Sequence, residues 1–121
     1  MNILIADNDF EVVEVLAEVL CSHGYCVDKV HDGKRALECL QAKHYDIAIL
    51  DHDMPELTGL EVVKYIKKHF PVTKTVIITG YPAMTELFAK TVGADEFIEK
   101  PFTIDQILKT VQRYGRGEKA S

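Results

Sequence analysis

The sequence is poor in three features that define large classes of protein: long apolar runs, basic charge and cysteine. No apolar run approaches the roughly 18–20 residues of a membrane-spanning helix, so we predict no membrane insertion. A formal net charge of -5 argues against direct nucleic-acid binding, which requires a basic surface. The three cysteines, Cys21, Cys26 and Cys39, cannot all pair internally. We expect no secretory leader, because only a short apolar run follows Met1 before the first acids. We therefore expect reduced thiols in a cytoplasmic protein.

Short apolar runs alternate with amphipathic segments along the whole chain of 121 residues, which has the length of one domain. Residues 2–6, 47–50 and 75–79 are almost wholly apolar, as strands buried on both faces should be. Residues 26–30 carry two charges and residues 96–98 form a very short run, so we predict edge strands there.

Five apolar stripes at helical spacing lie between and after these strands. Their members are Val12, Leu16 and Val19; Ala36, Leu37 and Leu40; Leu60, Val63 and Ile66; Met84, Leu87, Phe88 and Thr91; and Ile104, Ile107, Leu108 and Val111. We interpret all five as helix faces turned to the core, and Lys64, Lys67 and Lys68 as a solvated face. Thr58 with Glu61, and Thr103 with Gln106, fit capping boxes at two helix starts.

Five strand–helix units in strict alternation indicate an α/β domain with a parallel sheet. Five units are too few for an eight-stranded barrel, so an open sheet remains. We predict a doubly wound, flavodoxin-like, five-stranded parallel sheet with strand order 2-1-3-4-5 and five helices. The domain is expected to cover residues 1–115, with a polar C-terminal tail at 116–121.

The carboxyl ends of the predicted strands carry the polar chemistry, and ligands of open α/β sheets bind at that edge. Asp7, Asn8 and Asp9 follow the first strand, Asp51, His52 and Asp53 the third, Thr79 the fourth and Lys100 the fifth. Clustered carboxylates repel one another unless a cation lies among them, and such oxygen ligands suit Mg²⁺. A carboxylate at this edge can carry a phosphoryl group while a lysine stabilises its charge.

Four motifs at these strand ends resemble the receiver domains of two-component response regulators. They are ILIADND at 3–9, YDIAILDHDMPELTGLEV at 45–62, VIITGY at 76–81 and ADEFIEKPF at 94–102. The resemblance covers essentially the whole chain. It implies that Asp51 accepts a phosphoryl group from a histidine kinase or a histidine phosphotransfer protein. It also implies an output partner, which the sequence does not identify, and no enzymatic activity beyond the domain's own phosphorylation and dephosphorylation.

The same resemblance implies a role for each neighbouring residue. Mg²⁺ is expected near Asp7, Asn8, Asp51 and the backbone carbonyl of Asp53. Thr79 and Lys100 are expected to contact the phosphoryl oxygens. Phe97 is expected to follow Thr79 during switching, and Lys100–Pro101 to be a cis peptide. The switch is expected to change the face formed by the fourth helix, fifth strand and fifth helix, with Tyr81 and Asp53 tuning hydrolysis of the acyl phosphate.

Asn8 departs from the family pattern, which usually has two adjacent acids after the first strand. An asparagine oxygen still coordinates a cation but brings no charge, so we predict weaker Mg²⁺ binding than in the family at large. Asn8 is also the one feature that supports a different class of function, a receiver-like interaction module that does not use phosphate.

Other interpretations of single motifs are weaker. Asp51-His52-Asp53 resembles the nucleophile motif of haloacid-dehalogenase-type phosphatases, but Met54-Pro55 follows it and no room remains for a substrate cap. No GxGxxG follows the first strand, which excludes a dinucleotide-binding domain. Cys21, His23 and Cys26 match no structural zinc pattern. Asp7 alone could be a helix cap, Lys100 could pair with Glu99, and His52 is expected to be solvated.

Overall fold

The computed structural model describes residues 1–80 and 82–115. The predictions for Tyr81, for the side chain of Met84 and for the tail at 116–121 lie outside the described residues. Within the described ranges, no helix combines the length and the apolarity that crossing a membrane requires.

Five strands and five helices alternate along the chain, as predicted. The strands are β1 (Asn2–Ala6), β2 (Cys26–Val30), β3 (Ile47–Asp51), β4 (Lys74–Thr79) and β5 (Glu96–Glu99). The helices are α1 (Phe10–Ser22), α2 (Gly33–Ala42), α3 (Gly59–His69), α4 (Pro82–Val92) and α5 (Ile104–Gly115). All strand pairs are parallel and the order is β2-β1-β3-β4-β5, which confirms the predicted topology.

Two apolar layers cover the two faces of the sheet because strand side chains alternate in direction. In β1, Leu4 and Ala6 belong to the layer that includes residues of α2 and α3. Ile3 and Ile5 belong to the layer that includes residues of α1 and α5. All five residues of β3 are buried, as expected of a central strand with helices on both sides.

Two of the predicted helix faces are wrong in part. Of the predicted α1 stripe, Leu16 is buried and Val12 packs partly buried against the core, but α1 also buries Val13, Ala17 and Leu20, which the stripe did not include. On α4, Leu87 and Phe88 are 65% and 49% exposed, and Ala89 is the residue that enters the core. Each helix has apolar residues on more than one face, and helical spacing alone does not tell which face meets the sheet.

The helix starts agree better with the sequence. Thr58 and Glu61 form the predicted reciprocal capping box of α3, and Thr103 Oγ1 accepts the Gln106 amide at the start of α5. The N-cap of α1 is Asp9, whose side chain accepts two amide hydrogens, and not Asp7. The alternative of Asp7 as an ordinary helix cap is therefore wrong.

The predicted lysine face of α3 is solvated only in part. Lys64 and Lys68 are exposed. The Nζ atom of Lys67 lies 3.1 Å from Oδ2 of Asp95, at the turn into β5. The same Asp95 oxygen accepts the amide and the hydroxyl of Thr75, so Lys67 belongs to a tie between α3, β4 and β5.

Candidate functional site

The site lies at the carboxyl edge of the sheet, where β1, β3, β4 and β5 end. Asp7 follows β1, Asp51 is the last residue of β3, Thr79 is the last residue of β4, and Lys100 follows β5. Asp7 and Asp51 are 2% and 1% exposed although both are carboxylic acids. Burial of two acids side by side is costly unless cations or hydrogen-bond donors compensate them. Their burial therefore marks this edge as the candidate functional site.

The two oxygens of the Asp51 carboxyl group differ in their hydrogen bonds. Oδ1 accepts the backbone amide of Asp53 at 3.0 Å and the ammonium of Lys100 at 3.1 Å. Oδ2 is buried and has no hydrogen-bond partner among the residues that the structure describes. A buried carboxylate oxygen without a partner is expensive, which points to a group that the site is made to receive.

The pKa of Asp7, which lies near the Asp51 carboxyl group, is raised. Its Oδ1 accepts the amide of Asp9 at 2.9 Å. Burial raises the pKa of Asp7 to about 6; the Asp9 hydrogen bond opposes this rise, and the nearby Asp51 carboxylate adds to it. Two buried carboxyl groups thus lie close together, and a cation between them would favour their ionised forms.

Lys100 is the cation of the site. Its Nζ atom lies 3.1 Å from Asp51 and 3.9 Å from Oδ2 of Asp53. Burial alone lowers the pKa of Lys100, but the hydrogen bond to Asp51 and the surrounding carboxylates outweigh burial and raise it. The alternative of a pair with Glu99 is wrong, because the ion pairs of Lys100 are with Asp51 and Asp53. The Lys100–Pro101 peptide is cis, as the resemblance implied.

Asp53 and Thr79 join the ends of β3 and β4. Thr79 Oγ1 lies 3.3 Å from both carboxylate oxygens of Asp53, and the Gly80 amide donates to Asp53 Oδ2 at 3.0 Å. The carboxylate of Asp53 is thus held by β4. Phe97, on β5, is half-buried against the apolar layer that includes Ala89 of α4.

The donor set fits a hard divalent cation through the Asp7–Asp51 pair. Oδ2 of Asp51 is buried without a partner among the described residues, and burial raises the pKa of the neighbouring Asp7, so a cation here would compensate both groups. Among the described residues, no three His, Cys, Asp or Glu side chains form a complete ligand cluster. Mg²⁺ does not need one, because it takes one or two carboxylates and completes its shell with waters and phosphate oxygens. Asn8 is exposed in the β1–α1 loop.

The structure also shows two features that the sequence did not predict. His31, beyond β2, contacts the backbone of Asp7, and no local motif indicates a contact across 24 residues. His52 is only half-exposed, and its Nδ1 atom is buried without a partner among the described residues. The prediction of a solvated His52 is therefore wrong for this ring nitrogen.

The family model for the response regulator receiver domain matches residues 3–112 of this chain. The chain belongs to the receiver-domain family of two-component response regulators. Proteins of this family are not enzymes in the usual sense.

Named response regulators resemble this receiver domain over most of its length. It is 31% identical to the transcriptional regulatory protein TctD of Salmonella typhimurium, over 98% of this chain and 54% of that protein. It is 34% identical to the response regulator MprA of Mycobacterium avium, over 89% of this chain and 48% of that protein. The chain thus spans about half the length of these relatives.

Solved receiver structures have the same fold. A CheY-like receiver domain protein from Methanospirillum hungatei superposes with a TM-score of 0.89 at 25% identity, covering 93% of this chain and 91% of that one. The response regulator TrrA of Thermotoga maritima, in complex with Mg²⁺ and beryllium fluoride, gives a TM-score of 0.82 at 33% identity, covering 93% and 96%.

Proposed function

We propose that this receiver domain is a phosphorylation switch and that Asp51 is its phosphoacceptor. The observation that carries the proposal is the state of the Asp51 carboxyl group. One oxygen is held by Lys100 and by the Asp53 amide, and the other is buried without a partner among the described residues. A nucleophile needs a fixed orientation and one oxygen left available, and Asp51 has both.

Mg²⁺ is the cofactor that the site fits. Asp7 and Asp51 would supply the carboxylates and the backbone carbonyl of Asp53 a neutral oxygen, with Asn8 in the surrounding loop. When bound, Mg²⁺ neutralises the carboxylate pair and the incoming phosphoryl oxygens. Support comes from the raised pKa of Asp7 and from the Mg²⁺ complex of TrrA.

The chain's own residues orient the transfer. We expect the phosphoryl donor to be a phosphohistidine on a histidine kinase or a histidine phosphotransfer protein. The phosphorus–nitrogen bond breaks as Asp51 forms an oxygen–phosphorus bond, and the electron pair stays on the imidazole nitrogen. Lys100 and the hydroxyl of Thr79 lie at the edge where the phosphoryl oxygens arrive and stabilise their charge. The domain thereby catalyses its own phosphorylation and, with water, its dephosphorylation.

The output follows from a change in the contacts of Thr79. In the structure its hydroxyl contacts Asp53. A phosphoryl group on Asp51 competes for that hydroxyl, and the Phe97 side chain changes its rotamer when Thr79 moves. The face of α4, β5 and α5 then changes its affinity for an output partner. Leu87 and Phe88 of α4 are exposed in the structure. We assign residues 1–115 to the switch and 116–121 to a polar tail, and we place the domain in the cytoplasm without direct nucleic-acid contact.

Beryllofluoride, a mimic of the phosphoryl group, tests this proposal. With Mg²⁺ present, ¹H–¹⁵N NMR is expected to show saturable shifts of the Thr79 and Lys100 amides in the wild type and none in Asp51→Ala. If the wild type shows no shifts at any Mg²⁺ concentration, Asp51 is not a phosphoacceptor and the phosphate-independent interaction module replaces this proposal.

A further inference from the structure

The loop between β1 and α1 carries Asp7 and Asn8. His31, which follows β2, contacts this loop. The Nδ1 atom of His31 lies 3.2 Å from the backbone carbonyl oxygen of Asp7. The His31 ring stacks on Phe10, with ring centroids 3.7 Å and planes 24° apart. One side chain therefore contacts both ends of the stretch from residue 7 to residue 10.

The direction of this hydrogen bond follows from its acceptor. A carbonyl oxygen can only accept, so Nδ1 of His31 carries the proton, and the neutral ring meets this requirement. The stacked ring of Phe10 fixes the plane of the imidazole and therefore the direction in which Nδ1 donates.

Asp7 is consequently held at three atoms. Its amide donates to the Val30 carbonyl at 3.2 Å, its carboxylate Oδ1 accepts the Asp9 amide at 2.9 Å, and its carbonyl accepts from His31. Val30 and His31 are consecutive, so the end of β2 and the residue after it both hydrogen-bond to the backbone of Asp7. The orientation of the Asp7 carboxylate depends on where this backbone lies.

We propose that His31 is a positioning residue that aims the Asp7 carboxylate at the magnesium site. The inference rests on the proposed function, because it assigns His31 a role in the same site. Partners behind a metal ligand fix its orientation, and their loss weakens metal affinity. The support matters more in this chain because Asn8 brings no charge, which leaves Asp7 as the sole acid of the ligand positions in this loop.

The experiment compares variants of His31 by two readouts. In metal-free protein, hydrogen exchange of the Asp9 amide reports whether the Asp7 carboxylate keeps its place, and His31→Ala is expected to speed this exchange. In a Mg²⁺ titration followed by NMR, His31→Ala is expected to raise the half-saturating concentration about three- to tenfold, the equivalent of one hydrogen bond.

His31→Phe keeps a stacked ring and removes the donor, so it tests the hydrogen bond even if the alanine variant fails to fold. Its half-saturating Mg²⁺ concentration is expected to lie between those of the wild type and His31→Ala. The matched control is His69→Ala, which removes a histidine whose ring lies 4.5 Å from that of Tyr65 on α3. It should change neither readout.

Unchanged Asp9 exchange and unchanged Mg²⁺ affinity in both His31 variants would overturn the inference, as would an equal shift in His69→Ala. Failure of the proposed function looks different, because the wild type itself then binds no Mg²⁺. In that case the exchange of the Asp9 amide in metal-free protein still decides whether His31 positions Asp7.

Discussion

Gly59 lies so close to the end of β3 that a Cβ atom on it would come within 2.7 Å of the Asp51 carbonyl oxygen. The next atoms it would meet are the Asp51 carbonyl carbon and the His52 Cα, both 3.0 Å away. All three are backbone atoms, which cannot rotate aside. The residue at the start of α3 is thus glycine because α3 packs directly against the residue that we assign as phosphoacceptor, and not merely to ease a turn.

Gly59→Ala is therefore expected to lower the free energy of unfolding by about 1–3 kcal/mol through overpacking. At an unobstructed helix position the same change stabilises by up to about 1 kcal/mol. The sign of the change in unfolding free energy therefore shows whether a side chain at residue 59 is obstructed. Urea unfolding measures it. The control is Gly80→Ala, where the nearest atoms to a Cβ are side-chain atoms 3.9 Å away. A Gly59→Ala protein as stable as the wild type would show that the close approach is absent.

Asp7→Asn is expected to stabilise the metal-free protein while impairing Mg²⁺ binding. The pKa of Asp7 is 3.8 in the unfolded reference and about 6 in the folded protein. The folded state thus binds the proton more tightly, so the free energy of unfolding falls as pH rises from about 4 to 6. Near pH 7 the variant should be more stable by about 1–3 kcal/mol, and near pH 4 the two should agree. Equal stability at both pH values would contradict the raised pKa.

Asn8→Asp is expected to tighten Mg²⁺ binding by about three- to tenfold, because it adds a charge beside the carboxylate pair. The gain should shrink at high salt, since Asn8 is exposed. Isothermal titration calorimetry at two salt concentrations measures both effects. Gln41→Glu adds the same charge on α2, away from the site, and should change nothing. Equal or weaker Mg²⁺ affinity in Asn8→Asp would refute the prediction that Asn8 weakens the site.

Lys100→Met keeps most of the unbranched apolar part of the side chain and removes its charge. We expect the rate of labelling by acetyl phosphate to fall about 100-fold, because the charge on the phosphoryl oxygens loses a fixed cation. The pKa of Asp7 should rise further, since the Lys100 charge lowers it. Lys109→Met breaks an exposed pair with Asp105 and should have no measurable effect. Labelling at the wild-type rate in Lys100→Met would remove Lys100 from the mechanism.

The sequence predicted most of the fold because the signals were local. Continuous apolar runs marked β1, β3 and β4, and the polar residues directly after them marked the site edge. The exposure of Leu87 and Phe88 escaped prediction because α4 has apolar residues on two faces. The contact between His31 and Asp7 also escaped, since it depends on how β2 and β1 pair and on no local pattern. The side chain of Asp53 and its contact with Thr79 became visible only in three dimensions.

The most direct test of the central claim is the intact mass of the protein after incubation with acetyl phosphate and Mg²⁺, beside Asp51→Ala. The account predicts a gain of one phosphoryl group in the wild type, dependent on Mg²⁺, and no gain in the variant. A gain that persists in Asp51→Ala would show that another residue is the phosphoacceptor. No gain in the wild type at any Mg²⁺ concentration would contradict the phosphorylation switch itself.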